Sequence, residues 1–529
     1  MKTFILIINT LTALTIFFSV NAFSQQIEWA AQVAPYSNWN AGNHIHSDSA
    51  GNVYVTGLYN GDTAAGGFIT KYNSVGILVW TQNILGALIY GGETDSFGNT
   101  YISGRFGGTA NFGSFTLNGN GWDFFLAKYN SYGTCLWVQQ AGQALGKALK
   151  ADGNGNIYVT GDFGGSCTFG NTTITQTNSG IHDNFLAKYN ASGQCLWVQQ
   201  IIGSSYGNGG DINIDANENI YITDKYILPI TFGNGSDTTT LTTHGGSIYL
   251  AKYTSTGTFE WAKQISDSGH CESRGIVIDN FGNIYISGWF SYIVHFENTI
   301  LTCSGGENGF LAKYNSSGVL DWIKQPLDQP VNHISRGFGI SLNTSNEIFL
   351  TGNFVSSGIY SNVIKYDSLG NEKWRSGYST TNGRVISYGI SIDTRNNIYI
   401  AGEFMGDVQF GSYNINRPFN GPDRDAFLVK ILDNDDQSTG IIQIQNNITF
   451  IVYPNPTSGI FQINYSAPVK GSLQLNVTDT KGKTVYTETV SQFNGEFKKQ
   501  IDLGKKATGV YFVEMSLGKD RKTKKIIIE

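Results

Sequence analysis

The chain has 529 residues, of which 65 are glycine, 13% are aromatic and only 14% are charged. This length exceeds one ordinary hydrophobic core, and the glycine and aromatic content is typical of many short strands joined by tight turns. Residues 448–529 hold 12 Lys and Arg against 7 Asp and Glu, a net charge of +5, so the chain's −6 leaves −11 on residues 1–447 and argues against a nucleic-acid partner.

The first predicted element is a secretory signal peptide over residues 1–24. Lys2 precedes an apolar run over residues 4–20, and Ala22 and Ser24 are small residues at the positions that signal peptidase recognises. A transmembrane anchor is the alternative, but the run is shorter than the about 20 residues that a spanning helix needs. No other stretch is long enough, so we expect no transmembrane segment in the mature chain.

One phrase, Asp-x-x-Gly-Asn-x-Tyr-x-x-Gly with local variation, occurs seven times over residues 48–402. Its aromatic positions are Tyr54, Tyr101, Tyr158, Tyr221, Tyr285, Phe349 and Tyr399. Six residues before them stand Asp48, Asp95, Asp152, Asp215, Asp279, Asn343 and Asp393. The spacing predicts a hairpin, because an Asp side chain caps a tight turn in which Gly and Asn adopt positive φ. Half of a calcium loop is the alternative, but no bidentate acid recurs further along.

Two more phrases recur seven times each. Phe-Leu-Ala-Lys-Tyr-Asn surrounds Lys71, Lys128, Lys188, Lys252, Lys313, Lys365 and Lys430. An aromatic strand is centred on Trp29, Trp80, Trp137, Trp197, Trp261, Trp322 and Trp374. Five repeats also insert a phenylalanine and a polar hairpin, at Phe112, Phe169, Phe232, Phe296 and Phe410. Each unit therefore offers four strands in about 50–65 residues, which is the period of a β-propeller blade.

The phase of the repeats suggests how the ring closes. Trp29 precedes the first turn phrase, whereas the lysine phrase at Lys430 has no tryptophan strand after it. We expect the Trp29 strand to complete the last blade, which hides two strand edges. A linear solenoid is the alternative, but it needs no such complementarity. The predicted fold class is all-β, with a seven-bladed β-propeller at 25–432 and a small C-terminal β-sandwich after it.

These phrases resemble the beta-propeller repeat family of exported bacterial proteins, and the resemblance covers residues 25–432. It implies the fold but says little about activity.

Residues 433–447 are predicted to be a polar linker, and 448–529 a sandwich of alternating strands. The last segment resembles the type A C-terminal sorting domain of the type IX (Por) secretion system. The matching positions are Tyr453, Pro454, Asn455, Pro456, Gly459, Gly509, Tyr511, Lys524 and Lys525. The resemblance implies the type IX machinery as a partner and passage through the periplasm to the outer surface or the medium. An ordinary adhesion-like sandwich is the alternative.

No catalytic motif stands out, because the chain lacks Gly-x-Ser-x-Gly, His-Glu-x-x-His and a phosphate-binding loop. Its five cysteines show no metal-binding spacing, and we expect neither a cofactor nor a metal site. His44 and His46 share one face of a strand, so they form either a metal-binding pair or ordinary polar surface. Buried cysteine side chains and an odd, unpaired thiol are expected.

The loops that lead into the inner strands differ between repeats, and binding residues are expected there. The candidates are His44, Glu93, Lys147, Asp211, Arg274, Arg336 and Tyr388. A funnel lined by them would bind a polar ligand such as a glycan or a peptide, the alternative being solvated loop residues. Trp39, Trp122 and Trp289 lie outside the repeat set as extra exposed aromatics that either stack on sugars or pack.

Two functions from different classes remain open at this point. The first is an exported binding or adhesion protein without enzymatic activity. The second is a secreted polysaccharide hydrolase or lyase, which would need two carboxylates across a cleft, such as Glu93 and Asp211.

Overall fold

The structure is a computed structural model. It describes residues 26–33, 39–60, 65–178, 180–203, 210–243, 246–267, 270–303, 306–326, 333–334, 336–356, 359–380, 384–415, 424–433, 449–453, 457–466, 471–493, 496–504, 508–517 and 520–528. Within these ranges all regular structure is β-strand, which confirms the all-β prediction. The chain divides into two compact units after residue 434. The predicted signal peptide and all but one residue of the predicted linker lie outside the described residues.

In the described part of the first unit, seven antiparallel sheets repeat one path of four strands. From first to fourth strand they are β2 (Trp39–Ser47), β3 (Val53–Asn60), β4 (Ala65–Tyr72) and β5 (Leu78–Leu85); β6 (Ala87–Thr94), β7 (Thr100–Phe112), β8 (Phe115–Tyr129) and β9 (Cys135–Gln140); β10 (Ala144–Ala151), β11 (Ile157–Phe163), β14 (Asp183–Tyr189) and β15 (Cys195–Ile201); β16 (Asp211–Ile214), β17 (Ile220–Tyr226), β20 (Ser247–Tyr253) and β21 (Phe259–Gln264); β22 (His270–Ile278), β23 (Ile284–Ser291), β26 (Gly306–Tyr314) and β27 (Leu320–Lys324); β29 (Arg336–Leu342), β30 (Ile348–Ser356), β31 (Ile359–Tyr366) and β32 (Glu372–Thr380); and β33 (Arg384–Ile392), β34 (Asn397–Met405), β37 (Asp425–Leu432) and β1 (Ile27–Val33).

Short hairpins connect the second and third strands of several sheets. They are β12 (Ser166–Phe169) with β13 (Thr172–Thr175), β18 (Ile230–Asn234) with β19 (Asp237–Leu241), β24 (Ile293–Phe296) with β25 (Thr299–Thr302), and β35 (Val408–Phe410) with β36 (Tyr413–Ile415). The hairpin phenylalanines predicted from the sequence are buried in them and at the end of β7. A two-residue strand, β28 (His333–Ile334), pairs with β26.

The turn between first and second strands is built as the repeat phrase predicts. Asp48 Oδ1 accepts hydrogen bonds from the backbone N–H of Ala50 at 3.0 Å and of Asn52 at 2.9 Å. Its Oδ2 accepts from the Asn52 amide at 2.8 Å and from the Tyr54 hydroxyl at 3.1 Å. Gly51 has φ of 79°, a left-handed conformation that glycine adopts readily and that Asn346 and Asn396 adopt at the same position of their repeats. One carboxylate thus fixes both the turn and the buried tyrosine of the next strand.

The lysine and tryptophan phrases form the joint between neighbouring sheets. Lys71 Nζ and Trp80 Nε1 both donate to the backbone carbonyl of Ser131 in the next sheet, each at 3.1 Å. The ammonium of Lys71 also lies 5.0 Å from the ring centroid of Tyr54. Burial of a tryptophan face and an ordered cation–π contact together stabilise the joint.

The same joint connects the last sheet to the first. Trp29 pairs with Lys430 across β1 and β37, and both side chains donate to the backbone carbonyl of Ser74 at 3.4 Å. Trp29 is buried, with 8% of its surface exposed. The first strand of each sheet contacts the first strand of the next, and β33 contacts β2. The N-terminal tryptophan strand therefore completes the last sheet of the ring.

The described part of the second unit contains two antiparallel sheets. One orders its strands as β38 (Thr449–Tyr453), β39 (Ile460–Ser466) and β42 (Glu496–Asp502). The other orders them as β41 (Thr484–Phe493), β40 (Gly471–Asp479), β43 (Gly509–Leu517) and β44 (Asp520–Ile528). Alternate residues of both sheets, such as Phe461, Leu475 and Val513, share one buried cluster.

Candidate functional site

A cavity of about 670 Å³ lies where the seven first strands meet. Each of β2, β6, β10, β16, β22, β29 and β33 contributes to its wall. Polar and charged side chains on these strands are therefore brought together although they are far apart in the sequence. This cavity is the candidate functional site.

The cavity wall has three tiers. Each tier is found by counting back from the Asp or Asn that caps the turn after the first strand, called here the turn acid, which is Asp48 in the first repeat. The upper tier, five residues before that position, is Asn43, Tyr90, Lys147, Gly210, Arg274, Phe338 and Tyr388. The middle tier, four residues before it, is His44, Gly91, Ala148, Asp211, Gly275, Gly339 and Gly389. The lower tier, two residues before it, is His46, Glu93, Lys150, Asn213, Val277, Ser341 and Ser391.

A β-bulge creates the upper tier. In β10 the pairing with β11 shifts between Gly146 and Ala148, so the strand register skips Lys147. The same shift skips Arg274 in β22 and Tyr388 in β33. A bulge re-aims the side chain of its extra residue, and here the re-aimed side chains line the cavity.

The middle tier is mostly glycine and alanine because the strands approach closely there. A Cβ on Gly339 would lie 2.7 Å from the carbonyl oxygen of Tyr388 on the next first strand. A Cβ on Gly275 would lie 2.8 Å from Ile340 Cγ2. His44 and Asp211 are consequently the only middle-tier residues with polar side chains, among seven described positions.

All seven residues proposed from the sequence line the cavity, but they do not form one ring. Lys147, Arg274 and Tyr388 lie in the upper tier. His44 and Asp211 lie in the middle tier, Glu93 lies in the lower tier, and Arg336 lies above the upper tier at the start of β29. Sequence reasoning missed Tyr90, Phe338, Lys150, Arg384 and Asn353, which also line the wall.

The upper tier combines aromatic and cationic groups on three consecutive sheets. The guanidinium of Arg274 is 2.9 Å from Glu272 and 5.9 Å from the ring centroid of Phe338. The rings of Phe338 and Tyr388 meet edge to face at 5.3 Å. Burial, reinforced by Glu403, raises the pKa of Tyr388 well above its ordinary value, so this hydroxyl is a neutral donor or acceptor.

Arg336 sits between a carboxylate and an indole. It pairs with Glu307, and its guanidinium lies 4.9 Å from the ring centroid of Trp289. Trp289 is 9% exposed, so the sequence prediction that it is an exposed aromatic is wrong. Trp122 is 52% exposed, as predicted, and Arg105 lies 4.7 Å from its ring centroid. The Trp39 side chain lies outside the described residues.

Lys147 reaches across to carboxylates of the neighbouring strands. Its Nζ lies 3.2 Å from both Asp162 and Asp224. Burial opposes the charged ammonium, but the two carboxylates outweigh it and raise the pKa of Lys147. Lys147 therefore stays protonated, and the two carboxylates offset its charge.

The lower tier holds a charged chain. Lys150 Nζ lies 2.9 Å from Glu93 Oε2, and His46 Nδ1 lies 3.5 Å from Glu93 Oε1. Burial acts to raise the pKa of Glu93, but Lys150 and His46 outweigh it and the pKa is lowered. Burial raises the pKa of Asp211 to about 6, although the N–H groups of Ile276 and Ile212 donate to its carboxylate.

The two histidines predicted as a pair do share a face of β2, but each is engaged with the next first strand. His44 Nε2 donates to the Tyr90 carbonyl at 2.7 Å, and His46 Nε2 donates to the Gly92 carbonyl at 2.8 Å. Burial, followed by the neighbouring His46, lowers the pKa of His44 to about 4. Both histidines thus tie adjacent strands together, and His44 does so as a neutral side chain near pH 7.

Other predicted features can be located as well. Among the described residues no group of three or more His, Cys, Asp or Glu could hold a metal ion, and no helix is long and apolar enough to cross a membrane. The five cysteines are free thiols, and burial raises the pKa of Cys135 to about 11.

The sorting-motif positions lie in the second unit. Tyr453 ends β38, Gly509 begins β43, and Tyr511 is buried in the same strand. Lys524 and Lys525 lie on β44. Gly459 has φ of 104°, and a Cβ there would lie 2.7 Å from Gly504 Cα. Residues 454–456 lie outside the described residues.

Two family models match the chain. The Secretion system C-terminal sorting domain matches residues 451–529, and the Beta-propeller repeat matches residues 260–289. Both matches support the resemblances drawn from the sequence. A sorting domain of this kind implies export to the outer surface or the medium.

Similarity to individual proteins is low. The uncharacterized WD repeat-containing protein L264 of Acanthamoeba polyphaga mimivirus is 26% identical over 230 residues, which cover 36% of this chain and 17% of that protein. The chain thus spans less than a fifth of that relative.

Three solved structures resemble the chain in shape, each at a TM-score below 0.5. A protein of unknown function from Bacteroides caccae has a TM-score of 0.33 and 11% identity, covering 59% of this chain and 89% of its own. A chain of the Mitotic Checkpoint Complex has a TM-score of 0.40 and 9% identity, and the match covers 79% of this chain and 100% of that one. The acylaminoacyl peptidase of Pyrococcus horikoshii has a TM-score of 0.39 and 7% identity, and the match covers 82% of this chain and 59% of that one.

Proposed function

We propose that this exported beta-propeller repeat protein, which ends in a secretion system C-terminal sorting domain, binds a polar ligand in its central cavity outside the cell. It acts as a binding or adhesion protein at the outer surface or in the medium, after the type IX machinery has carried it out of the periplasm.

The proposal includes the finer architecture. The seven four-stranded sheets are the blades of a closed propeller over residues 25–432, because their first strands touch in a circle and β1 completes the seventh. The two sheets of the second unit are the layers of a small sandwich over residues 448–529, because they share one apolar core. Residues 1–24 are the signal peptide, and 433–447 the linker.

The observation that carries the binding proposal is the composition of the upper tier. The repeats fix the rest of each blade, but at the bulge they place different side chains, namely Tyr90, Lys147, Arg274, Phe338 and Tyr388. These side chains are not needed to repeat the blade. A concave wall of mixed aromatic and cationic groups around about 670 Å³ is typical of a small-ligand site.

An array of glycans and peptides, probed with the full mature chain, tests this proposal. We expect binding of some components, weakened about tenfold or more by Tyr388→Ala, which removes a half-buried ring from the wall. Tyr132→Ala is the matched control, because Tyr132 is 83% exposed on an outer turn away from the cavity. Both variants should keep the strand signal in circular dichroism. Unchanged binding by Tyr388→Ala would remove the cavity from consideration.

A polysaccharide hydrolase or lyase is the second candidate, and one observation favours it. Glu93 and Asp211 face one cavity, and their environments shift their pKa values in opposite directions, Glu93 downward and Asp211 to about 6. Opposed pKa values are what a base and an acid require. If the chain cleaves a polysaccharide, Glu93→Gln and Asp211→Asn should each abolish product formation while binding persists. Wild-type protein that releases no product from any bound polysaccharide excludes this candidate.

A further inference from the structure

We infer that the ligand of the proposed cavity site is an acidic saccharide, whose carboxylate or sulfate group contacts Arg274, Arg336 and Arg384 and whose hydroxyl groups reach Asn353. The inference rests on the proposed function and names the class of its ligand. Four observations support it.

The first observation is the charge of the wall. The cavity is lined by five cationic residues, which are Lys147, Lys150, Arg274, Arg336 and Arg384, and by two acidic ones, Glu93 and Asp211. Both acids lie in the middle and lower tiers, so the upper part of the wall holds only cations and neutral groups. Lys147 is paired with Asp162 and Asp224, and Lys150 with Glu93, so the attraction of an anion falls to the three arginines.

The second observation is where the partner carboxylates stand. Glu272 lies beside Arg274 and Glu307 beside Arg336, yet neither glutamate is among the residues that line the cavity. A guanidinium has five N–H donors in a planar fork, and one carboxylate accepts at most two of them in parallel. Glu307 therefore orients Arg336 while leaving donors for an anion in the cavity, and Glu272 orients Arg274 on the neighbouring sheet.

The third observation concerns Arg384 at the start of β33. Its side chain is exposed, it lines the cavity, and it contacts no carboxylate within the described ranges. It stands on the same strand as Tyr388. Because no carboxylate in the described part of the chain neutralises it, the positive charge of Arg384 is available to an anion.

The fourth observation separates a saccharide from a simple anion. Asn353 is 8% exposed and lines the cavity, and its amide oxygen has no hydrogen-bond donor among the described residues. It lies opposite Arg336 in the strand pairing. A sugar hydroxyl can supply the missing donor, whereas a carboxylate or sulfate has no hydrogen to donate. The half-buried ring of Tyr388 adds an aromatic surface against which a sugar packs.

The test uses the full mature chain and matched pairs of oligosaccharides. The acidic probes are a trigalacturonate and a sulfated trisaccharide, and the neutral probes are the methyl ester of the first and the desulfated form of the second. Titration calorimetry gives the dissociation constants. We expect each preferred acidic probe to bind at least about tenfold more tightly than its neutral partner, and the difference to shrink as salt is raised.

Two substitutions separate the two parts of the inference. Arg384→Ala should weaken the acidic probe about tenfold and leave the neutral probe unchanged, whereas Asn353→Ala should weaken both to a similar degree. Arg395→Ala is the matched control, because Arg395 is an exposed arginine of the same sheet in the turn after β33. The control should bind like the wild type.

Carboxylate and sulfate are distinguished by which pair shows the larger preference. If neutral probes bind as tightly as acidic ones but Tyr388→Ala still weakens them, the proposed function stands and the acidic-ligand inference is overturned. If Arg384→Ala binds the acidic probe like the wild type, the inference is also overturned. If no probe binds in a way that any cavity substitution changes, both are overturned.

Discussion

His44 shows how one polar side chain connects two blades without carrying charge. Its Nε2–H donates to Tyr90, and the imidazole is held neutral because burial and His46 lower its pKa to about 4. In the unfolded chain the same group has its ordinary pKa near 6.5. The unfolded state therefore takes up a proton between pH 6.5 and 4 that the folded state does not, and the contribution of His44 to stability falls over this range.

When the pH falls from 6.5 to 4, we expect the wild type to lose about 1–3 kcal/mol more of its free energy of unfolding than the His44→Gln variant does. Glutamine keeps a donor toward Tyr90 but does not titrate. Urea denaturation at a series of pH values measures the change, with His270→Gln, an exposed position on β22, as the control. An equally steep pH dependence in His44→Gln would assign the effect to other groups.

Two aspartates that cap turns, Asp279 after a first strand and Asp367 after a third strand, offer a second comparison between single residues. Asp279 is buried and accepts four hydrogen bonds, including one from the Tyr285 hydroxyl at 3.1 Å. Asp367 caps an exposed turn and accepts three, none from a tyrosine. Comparing the two residues therefore separates the stabilisation from capping a turn from the stabilisation that the buried tyrosine contact adds.

Asp279→Ala should lower the free energy of unfolding by about 2–4 kcal/mol, because it removes the cap of the turn and also leaves a buried tyrosine hydroxyl without its acceptor. Asp367→Ala should lower it by about 1 kcal/mol, as expected for loss of a solvated cap. Thermal and urea unfolding of both variants measure the difference. Equal losses would mean that the tyrosine contact adds nothing.

The positions of the candidate residues were only partly predictable. The sequence places Lys147, Arg274 and Tyr388 five residues before the turn acid, and the same count finds Tyr90 and Phe338, which loop divergence alone did not single out. Asn353 and Arg384 could not be found this way. Asn353 lies on a second strand, and its lack of a hydrogen-bond donor depends on how it packs opposite Arg336.

At the scale of elements, the repeat phrases predicted the strands well because their residues also make the contacts between neighbouring sheets. The lysine and tryptophan of one sheet donate to a carbonyl of the next, so their fixed spacing reports a contact as well as a strand. The bulge in the first strand could not be read from the sequence. It has no residue signature of its own, since the skipped residue is lysine, arginine or tyrosine in different sheets.

The closing joint is the element whose loss should matter most. Trp29→Ala removes a side chain that packs between the first and last sheets, and we expect a loss of about 3–5 kcal/mol. Trp122→Ala, at a tryptophan that is 52% exposed, should cost about 1 kcal/mol or less. Differential scanning calorimetry compares the two melting temperatures. A Trp29→Ala protein that melts with the wild type would contradict the closure of the ring by β1.

At the scale of the whole molecule, we expect export to depend on the second unit, which the sorting-domain model matches. The strand β44 pairs with β43 along its whole length and buries Ile526 and Ile528 in the core of the second unit. Removing it uncovers that core, so a domain that must fold to be recognised is lost.

Deletion of residues 520–529 should leave the protein in the periplasm with its signal peptide removed. A matched chain of residues 1–24 joined to 433–529 should still be exported. Cell fractionation with an antibody to an internal tag follows both proteins. Tail-deleted protein found outside the cell at the normal level would make residues 448–529 an ordinary adhesion-like domain.

The pairing of β1 with β37 also sets a waiting time. Trp29 and its partner Lys430 are separated by about 400 residues, and at the roughly 5–20 residues per second of bacterial synthesis the partner is made about 20–80 s later. During that interval the first strand carries an unmatched hydrogen-bonding edge and an uncovered indole. Each sheet between them assembles from neighbours close in the chain, whereas the ring as a whole closes only through its longest-range contact. The N-terminal strand is therefore the part of the newly made chain that stays unpaired for the longest time and that most needs protection from aggregation.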